Sequence, residues 1–407
     1  MRAKILFLAQ LLPYPPICGG TIRSFNILKR LCANHDVTLL AFSRCPEDVE
    51  NARYLRRYCV DAKTVPMARS GLLNARWAAQ SLLGRSSFII GRDHVSEMRE
   101  EVNRTLAAEA FDLIYVDHLQ MFQYVKGLEG QPRLLDEHNL EWRIIQRIAT
   151  VKPHGPHKWF AALEWRKLRK YELAACAECD AVATVTEHDK SSLEAENPRL
   201  RNVACVPIGV DPAEFRAVDP EPESTTILSV ATMSWPPNVD SIQHFCSDIY
   251  PLVKERVPEA RLVIAGKRPP ASIQRLEADP SISVPGFVND IHEVARNSAV
   301  FIVPLRSGSG MRVKILNAMA MGLPVVSTSV GCEGIEVTHG KNALLADTAE
   351  EFARSVAQLL EDREKRFEIG AAGRKFVVEN YSWEVIYPRL DWLVDSLIDR
   401  SRSQAAV

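Results

Sequence analysis

Residues 299–328 read AVFIVPLRSGSGMRVKILNAMAMGLPVVST. The mostly apolar run 299–305 suits a parallel strand buried on both faces. Arg306-Ser307-Gly308-Ser309-Gly310 follows it, and helical spacing then runs from Met311 to Met321, stopped by Gly322 and Pro324. Another apolar strand is predicted over 324–328. A glycine-rich loop that opens a helix lets backbone amides approach an anion, and the helix dipole favours negative charge there. Arg312 and Lys314 add two formal cations in the first turn. Cations are unfavourable at that end unless an anion lies between them and the amides. The segment Ser309, Gly310, Met311, Arg312 and Lys314 therefore points to a bound diphosphate; a solvated surface turn is the alternative.

Working outward, apolar strands are predicted at 226–231 and 260–265, with a helical pattern at 239–256. Upstream, KILFLA (4–9) reads as a buried strand, followed by a loop ending in Gly19-Gly20 and a helix from Thr21 to Cys32. Further short strands are expected at 37–42, 112–116, 133–135 and 181–185. Such alternation indicates α/β architecture with doubly wound parallel sheets. The pattern restarts after a proline-rich stretch, so the chain reads as two halves with a boundary near 208–224. The expected division is 1–208, 209–382, and a C-terminal helical segment 383–407 that packs back on the N-terminal domain. In open α/β sheets ligands bind beyond the carboxyl ends of the strands, so two such sheets face to face make an interdomain cleft.

Composition bounds the function. The chain has 407 residues, 46% hydrophobic and 25% charged, with a net charge of −1. Disorder, collagen and coiled coil are excluded, and no global basic field advertises nucleic acid. The near-zero total hides 29 Lys and Arg against 24 Asp and Glu in residues 1–208, and 21 against 27 in 209–407. The N-terminal half is thus suited to an anionic neighbour, such as a phosphorylated acceptor or a membrane surface. Nine scattered cysteines fit free thiols in a reducing cytoplasm, and the lone Cys176-x-x-Cys179 pair falls short of a zinc site. No run approaches the ~18 apolar residues of a membrane span. Met1 to Leu12 mimics a signal peptide, but Gln10 interrupts it and Pro13-Tyr14-Pro15-Pro16 stands where a cleavage site belongs. Aromatic and basic residues mix at 72–90 and 158–170, a pattern shared by helices on anionic bilayers and by core-packed helices with snorkelling cations. Neither G-x-x-x-x-G-K-[ST] nor, after the first strand, G-x-G-x-x-G is present, which speaks against ATPase or dinucleotide chemistry.

The segment Pro304–Thr328 resembles the donor-binding signature of family-4 glycosyltransferases of the GT-B fold. Other pieces match in order: Gly19-Gly20, Asp136-Glu137-His138-Asn139, Val206–Asp211, Ile264-Ala265-Gly266 and Val284–Val288. PYPPICGGTIRSFN, EHNLEW and WPPNVDSI are most similar to bacterial members that build extracellular polysaccharide. The resemblance implies two Rossmann-like domains, a nucleotide-sugar donor held by the C-terminal one, and a glycan or lipid-linked acceptor held by the N-terminal one. It also implies hexose transfer with retention and no catalytic metal or other cofactor. No D-x-D pair is present to hold Mg²⁺, so Arg312 and Lys314 are expected to neutralise the leaving diphosphate.

Two glutamates usual in the family are replaced here by Ser309 and Asn317, and its Arg and Lys pair is missing around Ala231–Ser234. Asn317 still offers hydrogen bonds to a ribose diol. By resemblance, His138 touches the transferred sugar; an imidazole suits a sugar hydroxyl. His118 is a second candidate. Gly19 and Gly20 are expected to admit phosphate or acceptor closely, Arg23 to meet an acceptor phosphate, and Lys267 to lie near the nucleotide. The reading is a cytoplasmic transferase, in possible contact with the inner membrane face. A GT-B epimerase or phosphorylase, or a catalytically silent sugar-nucleotide binder, are the alternatives.

Overall fold

The computed structural model describes residues 2–84, 86–151, 155–200, 202–219, 221, 223–233, 235–308 and 310–405. The chain divides into two compact units, Met1–Pro207 with Tyr387–Val407, and Ile208–Ile386.

The first unit is built on seven parallel strands: β1 (Lys4–Ala9), β2 (Asp36–Ser43), β3 (Asp61–Pro66), β4 (Leu113–Asp117), β5 (Arg133–Glu137), β6 (Ala181–Thr184) and β7 (Val203–Cys205). Their order is β3-β2-β1-β4-β5-β6-β7. β1 and β4 are interior strands, apolar between Lys4 at the start of β1 and Asp117 at the end of β4, and every side chain from Ile5 to Ala9 is buried. A strand covered on both faces by crossover helices needs this composition. β3 was not expected: Asp61, Lys63 and Thr64 blur its apolar pattern, which an edge strand tolerates. β7 ends at Cys205, and the chain leaves the sheet there.

The second unit has six parallel strands: β8 (Thr226–Val230), β9 (Arg261–Ala265), β10 (Ile282–Gly286), β11 (Val300–Val303), β12 (Val325–Ser327) and β13 (Leu344–Leu345), in the order β10-β9-β8-β11-β12-β13. β10 carries Pro285, a residue that sheets accept at an edge.

The helices that matter for function are α1 (Gly19–Asn34), α2 (Gly71–Leu83), α3 (Glu141–Val151), α4 (Pro156–Glu178), α5 (Pro236–His244), α6 (Val313–Ala320) and α7 (Trp383–Ala405). Gly19 and Gly20 are the first residues of α1 rather than the end of a loop, a correction to the sequence reading. Thr21 causes the early start: its Oγ1 accepts the Ile17 and Cys18 N–H groups, both at 3.1 Å, capping the chain as it enters the helix. α6 is likewise shorter than the predicted 311–321, beginning after Arg312. The C-terminal part of α7 belongs to the first unit, where Asp391 pairs with Arg30 and Asp112 with Arg402. All nine cysteines are free.

Candidate functional site

Each sheet brings chemistry-bearing side chains to its carboxyl edge at the point where strand order reverses, between β1 and β4 in the first unit and between β8 and β11 in the second. Open α/β sheets bind ligands at such switch points.

In the first unit the centre is Asp117, the last residue of β4. One carboxylate oxygen lies 2.8 Å from His138 Nε2. The other lies 3.1 Å from His118 Nδ1 and accepts the Ser24 hydroxyl at 2.8 Å. The two imidazoles stack with centroids 3.7 Å apart. His118 reaches this position through a left-handed backbone, φ 76°, which costs a non-glycine residue energy and marks a constrained site. Along β5, Asp136 and His138 share a face by strand alternation, while Glu137 points the opposite way, towards Cys176. Asp136 is gripped by Arg23, whose Nη2 donates at 2.6 Å, and by the Tyr115 hydroxyl at 2.7 Å. Arg23 also donates to the carbonyls of Val206 and Pro207, at 2.5 and 3.1 Å.

Arg23 thereby corrects the expectation that it meets an acceptor phosphate. It is fully buried and its guanidinium is spent on Asp136 and two carbonyls. It holds the network from behind.

Burial opposes charge on His138, but Asp117 and Asp136 outweigh it and raise the imidazole to about 9. Burial likewise works against the Asp117 charge, and the two histidines still hold it far below the usual carboxylate range. Asp136 is lowered to about 2, where burial is overcome first by Arg23 and then by His138. Two carboxylates thus face one guanidinium and one imidazolium, a neutral set. One donor is left over. His138 Nδ1 is buried with no hydrogen-bond partner among the described residues. It faces Gly20, where a Cβ would stand 3.7 Å from it and 3.6 Å from His118 Nε2. Gly20 is therefore the floor of a small space that a larger side chain would fill. Glu141, at the start of α3, borders the same group: burial raises its carboxyl against the pull of His118, Arg92 and His138. Asp117 and Glu141 were not singled out from sequence, although an acid beside a histidine at a strand end was a legible signal. Asp117, His118 and His138 also form a ligand-type trio, with atoms within 4.8 Å of one another; Asp117 already shares its oxygens between both imidazoles.

In the second unit the loop after β11 holds Gly308 and Gly310 at φ 141° and 75°, a region that glycine enters freely. A Cβ on Gly308 would stand 2.4 Å from an Arg312 nitrogen and 2.9 Å from the Trp235 ring. Arg312 caps α6, donates to the Gly310 carbonyl, and lies 5.6 Å over Trp235. Met311 is buried beside it. Along α6 only Lys314 and Asn317 escape full burial, so both present the one open face. Lys314 donates to Asn238 Oδ1 at 3.2 Å, and Asn238 in turn donates to the Thr232 carbonyl. Burial first, and then the Arg312 charge, lower the Lys314 ammonium to about 7. Ser309 lies outside the described residues. Lys267 follows β9 at the surface and covers Phe287, 4.4 Å from the ring centroid. Gly266 beside it is compelled, since a Cβ there would stand 1.9 Å from the Ala231 carbonyl oxygen. Trp235 and Asn238 were not singled out as site residues; their signal was the WPPN turn at the start of α5.

Residues 224–362, which span the second unit's sheet, match the family described as glycosyl transferases group 1. The second unit carries a group 1 glycosyltransferase domain. Over nearly its whole length the chain is similar to an uncharacterized 44.6 kDa protein in the cps region of Klebsiella pneumoniae, 22% identical across 95% of this chain and 98% of that one. It is also similar to a GDP-mannose-dependent alpha-(1-6)-phosphatidylinositol monomannoside mannosyltransferase of Mycobacterium tuberculosis, 27% identical over 241 residues, which are 52% of this chain and 60% of that one. Among solved structures, Anabaena HepE in complex with UDP shares 14% identity and a TM-score of 0.68, covering 97% of this chain and 100% of that one. The architecture is thus that of GT-B glycosyltransferases. Among the described residues no helix is long and apolar enough to cross a membrane.

Proposed function

We propose that the chain transfers a hexose from a nucleoside-diphosphate sugar to a glycan or lipid-linked acceptor, with retention at the anomeric carbon, in the cytoplasmic assembly of extracellular polysaccharide. The observation that carries this reading is the α6 entrance. Arg312 and Lys314 stand together at a helix N-terminus that already favours anions, where Arg312 donates to the Gly310 carbonyl and lies over Trp235, and Lys314 donates to the Asn238 amide oxygen. A diphosphate relieves that crowding, and its two charges meet two cations and free amides. The same groups stabilise the diphosphate as it leaves, which is where charge develops in glycosyl transfer. Asn317, one turn further along the open face, suits the ribose hydroxyls.

In the first unit the spare Nδ1–H of His138 is a charged donor that suits a sugar hydroxyl, oriented by Asp117 through the other ring nitrogen. The reading needs no metal or cofactor. Asp117 acts as an orienting base for two imidazoles, and the leaving charge is met by side chains. The related proteins point the same way: one mannosyltransferase is named for a GDP-mannose donor and a phosphatidylinositol mannoside acceptor, and HepE binds UDP.

The test is a calorimetric titration of the folded chain with UDP and GDP, expected to show binding of one of them below millimolar concentration. Binding of neither at millimolar levels overturns the reading. With the accepted donor in hand, His138→Ala is expected to leave donor affinity within about twofold and lower turnover by about 10² or more; unchanged turnover removes His138 from the chemistry.

A further inference from the structure

Most of the first unit's exposed large apolar side chains that share a neighbourhood lie on two helices. On α2, Leu72, Arg76, Ala79 and Leu83 repeat at helical spacing along the exposed face. On the first half of α4, Trp159, Leu163, Arg166 and Lys170 do the same. Trp159 is 72% exposed and Leu83 93%. A core-packed helix with snorkelling cations buries such side chains and leaves only charged tips in water. Here the apolar groups themselves stand in water.

The charges beside them are one-sided. α2 contains no acidic residue. Residues 156–170 contain Lys158, Arg166, Lys167, Arg169 and Lys170 against the single acid Glu164. That acid is turned inward: its oxygens accept the Ser81 and Ser87 hydroxyls at 2.9 and 2.5 Å and the Ile89 N–H at 3.1 Å. The Ser81 bond, and a second from Lys167 to the Ser81 carbonyl, lock the end of α2 against α4. Leu82 and Leu83 therefore stand beside the α4 stripe in one basic, apolar patch.

The patch is placed outside the sheet. Glu172 of α4 accepts the backbone N–H groups of Glu141 and Trp142, both at 3.1 Å, where α3 leaves the carboxyl end of β5. Residue 172 is thus level with the sheet edge that carries His118 and His138. Trp159 lies thirteen residues before it on the same helix, about 20 Å further out at the α-helical rise.

We propose that the exposed faces of α2 and the first half of α4 dock the chain on a bilayer rich in anionic lipid. Leu72, Leu82, Leu83, Trp159 and Leu163 enter the headgroup boundary, and Arg166 and Lys170 meet lipid phosphates. Charge complementarity selects this occupant: a basic patch with its lone acid withdrawn suits a surface that is negative everywhere. The inference deepens the lipid-linked half of the acceptor reading, because docking brings a membrane-held acceptor within reach of the edge that holds His138.

The experiment is co-sedimentation of the full chain with vesicles of phosphatidylglycerol and phosphatidylethanolamine, against vesicles of phosphatidylcholine alone, with UDP titration and size-exclusion chromatography on each sample. The expected result is binding to the anionic vesicles, about tenfold weaker to phosphatidylcholine and weakened by added salt. Leu82→Ser/Leu83→Ser/Trp159→Ser and Arg166→Glu/Lys170→Glu, all at exposed positions, each lower vesicle binding at least about tenfold and leave UDP affinity unchanged. A chain that binds UDP yet stays in the supernatant with anionic vesicles overturns docking while sparing the glycosyltransferase reading. Vesicle binding untouched by both variants also overturns it. A wild-type dimer that the triple variant converts to monomer assigns the patch to a second copy instead.

Discussion

The two strand-end clusters solve opposite electrostatic problems. In the first unit every formal charge is answered within the fold: Arg23 and the His138 imidazolium face Asp136 and Asp117, and Tyr115 and Ser24 fill further lone pairs. In the second, Arg312 and Lys314 share one helix entrance, and burial together with the Arg312 charge pushes the lysine towards losing its proton. A closed network keeps one donor in a fixed orientation. An open one stores unfavourable repulsion that an incoming anion releases. The first arrangement orients and the second captures, so breaking the first shows in stability and breaking the second shows in ligand affinity.

The largest effect is expected from Arg23→Met. It removes the guanidinium and leaves Asp136 buried with its charge uncompensated, a loss of about 3–5 kcal/mol for buried pairs of this kind. Urea unfolding measures it. A loss under about 1 kcal/mol means that Asp136 takes up a proton cheaply, and the network is not closed in the sense argued here.

Next comes pH. His138 titrates at about 9 in the folded chain against an ordinary imidazole value near 6.5. A raised folded value contributes stability that is fully present below about 6.5 and is lost as pH rises through about 9, some 3 kcal/mol in all. Unfolding free energies measured between those limits are expected to fall accordingly, and His138→Gln flattens that slope. A wild-type profile that is already flat shows that the imidazole is neutral and that the spare Nδ1 carries no charge.

In the second unit Arg312→Ala and Lys314→Ala are each expected to weaken nucleoside diphosphate binding by about 1.5–3 kcal/mol, roughly ten- to hundredfold, with the plain nucleoside barely affected. Calorimetry with UDP and uridine, or the guanine pair, separates the two. Equal losses for both ligands relocate the diphosphate and dissolve the contrast between the clusters.

Much of this contrast was legible in the sequence, and unevenly so. Buried strands announced themselves because β1, β4 and β11 are apolar on both faces, whereas β3 and β10 hid behind Lys63, Thr64 and Pro285, which interrupt the apolar run and which edge strands tolerate. The α6 entrance was readable because loop, glycines and cations are contiguous in the chain. The first unit's network was not, because it joins Arg23, Asp117 and Asp136 across 113 residues, and charge pairing at that separation leaves no periodic trace. Arg23 misled for the same reason: an arginine one turn into a helix looks solvated until its partner is known. Asp117 preceded a histidine at a strand end, yet its role depends on His138 arriving from the next strand.

The smallest effect offers the sharpest separation of the two regions. Lys314 sits at about 7 in the free chain because burial and Arg312 both disfavour its charge. A diphosphate brought beside it favours that charge, so the folded value rises on binding and the complex takes up a proton above neutrality. Affinity for UDP or GDP is then full below pH 7 and declines above it, by at most about tenfold per unit, until the complex itself titrates. The ligand's own phosphate ionises in a nearby range, which blurs a single titration. Comparison with Lys314→Arg removes that term, since the phosphate is common to both proteins and a guanidinium keeps its proton throughout. The ratio of the two affinities is expected to hold steady below pH 7 and move against the lysine protein above it. A constant ratio from pH 6 to 9 means that Lys314 is charged before the ligand arrives, and the second unit then holds no stored repulsion for an anion to release.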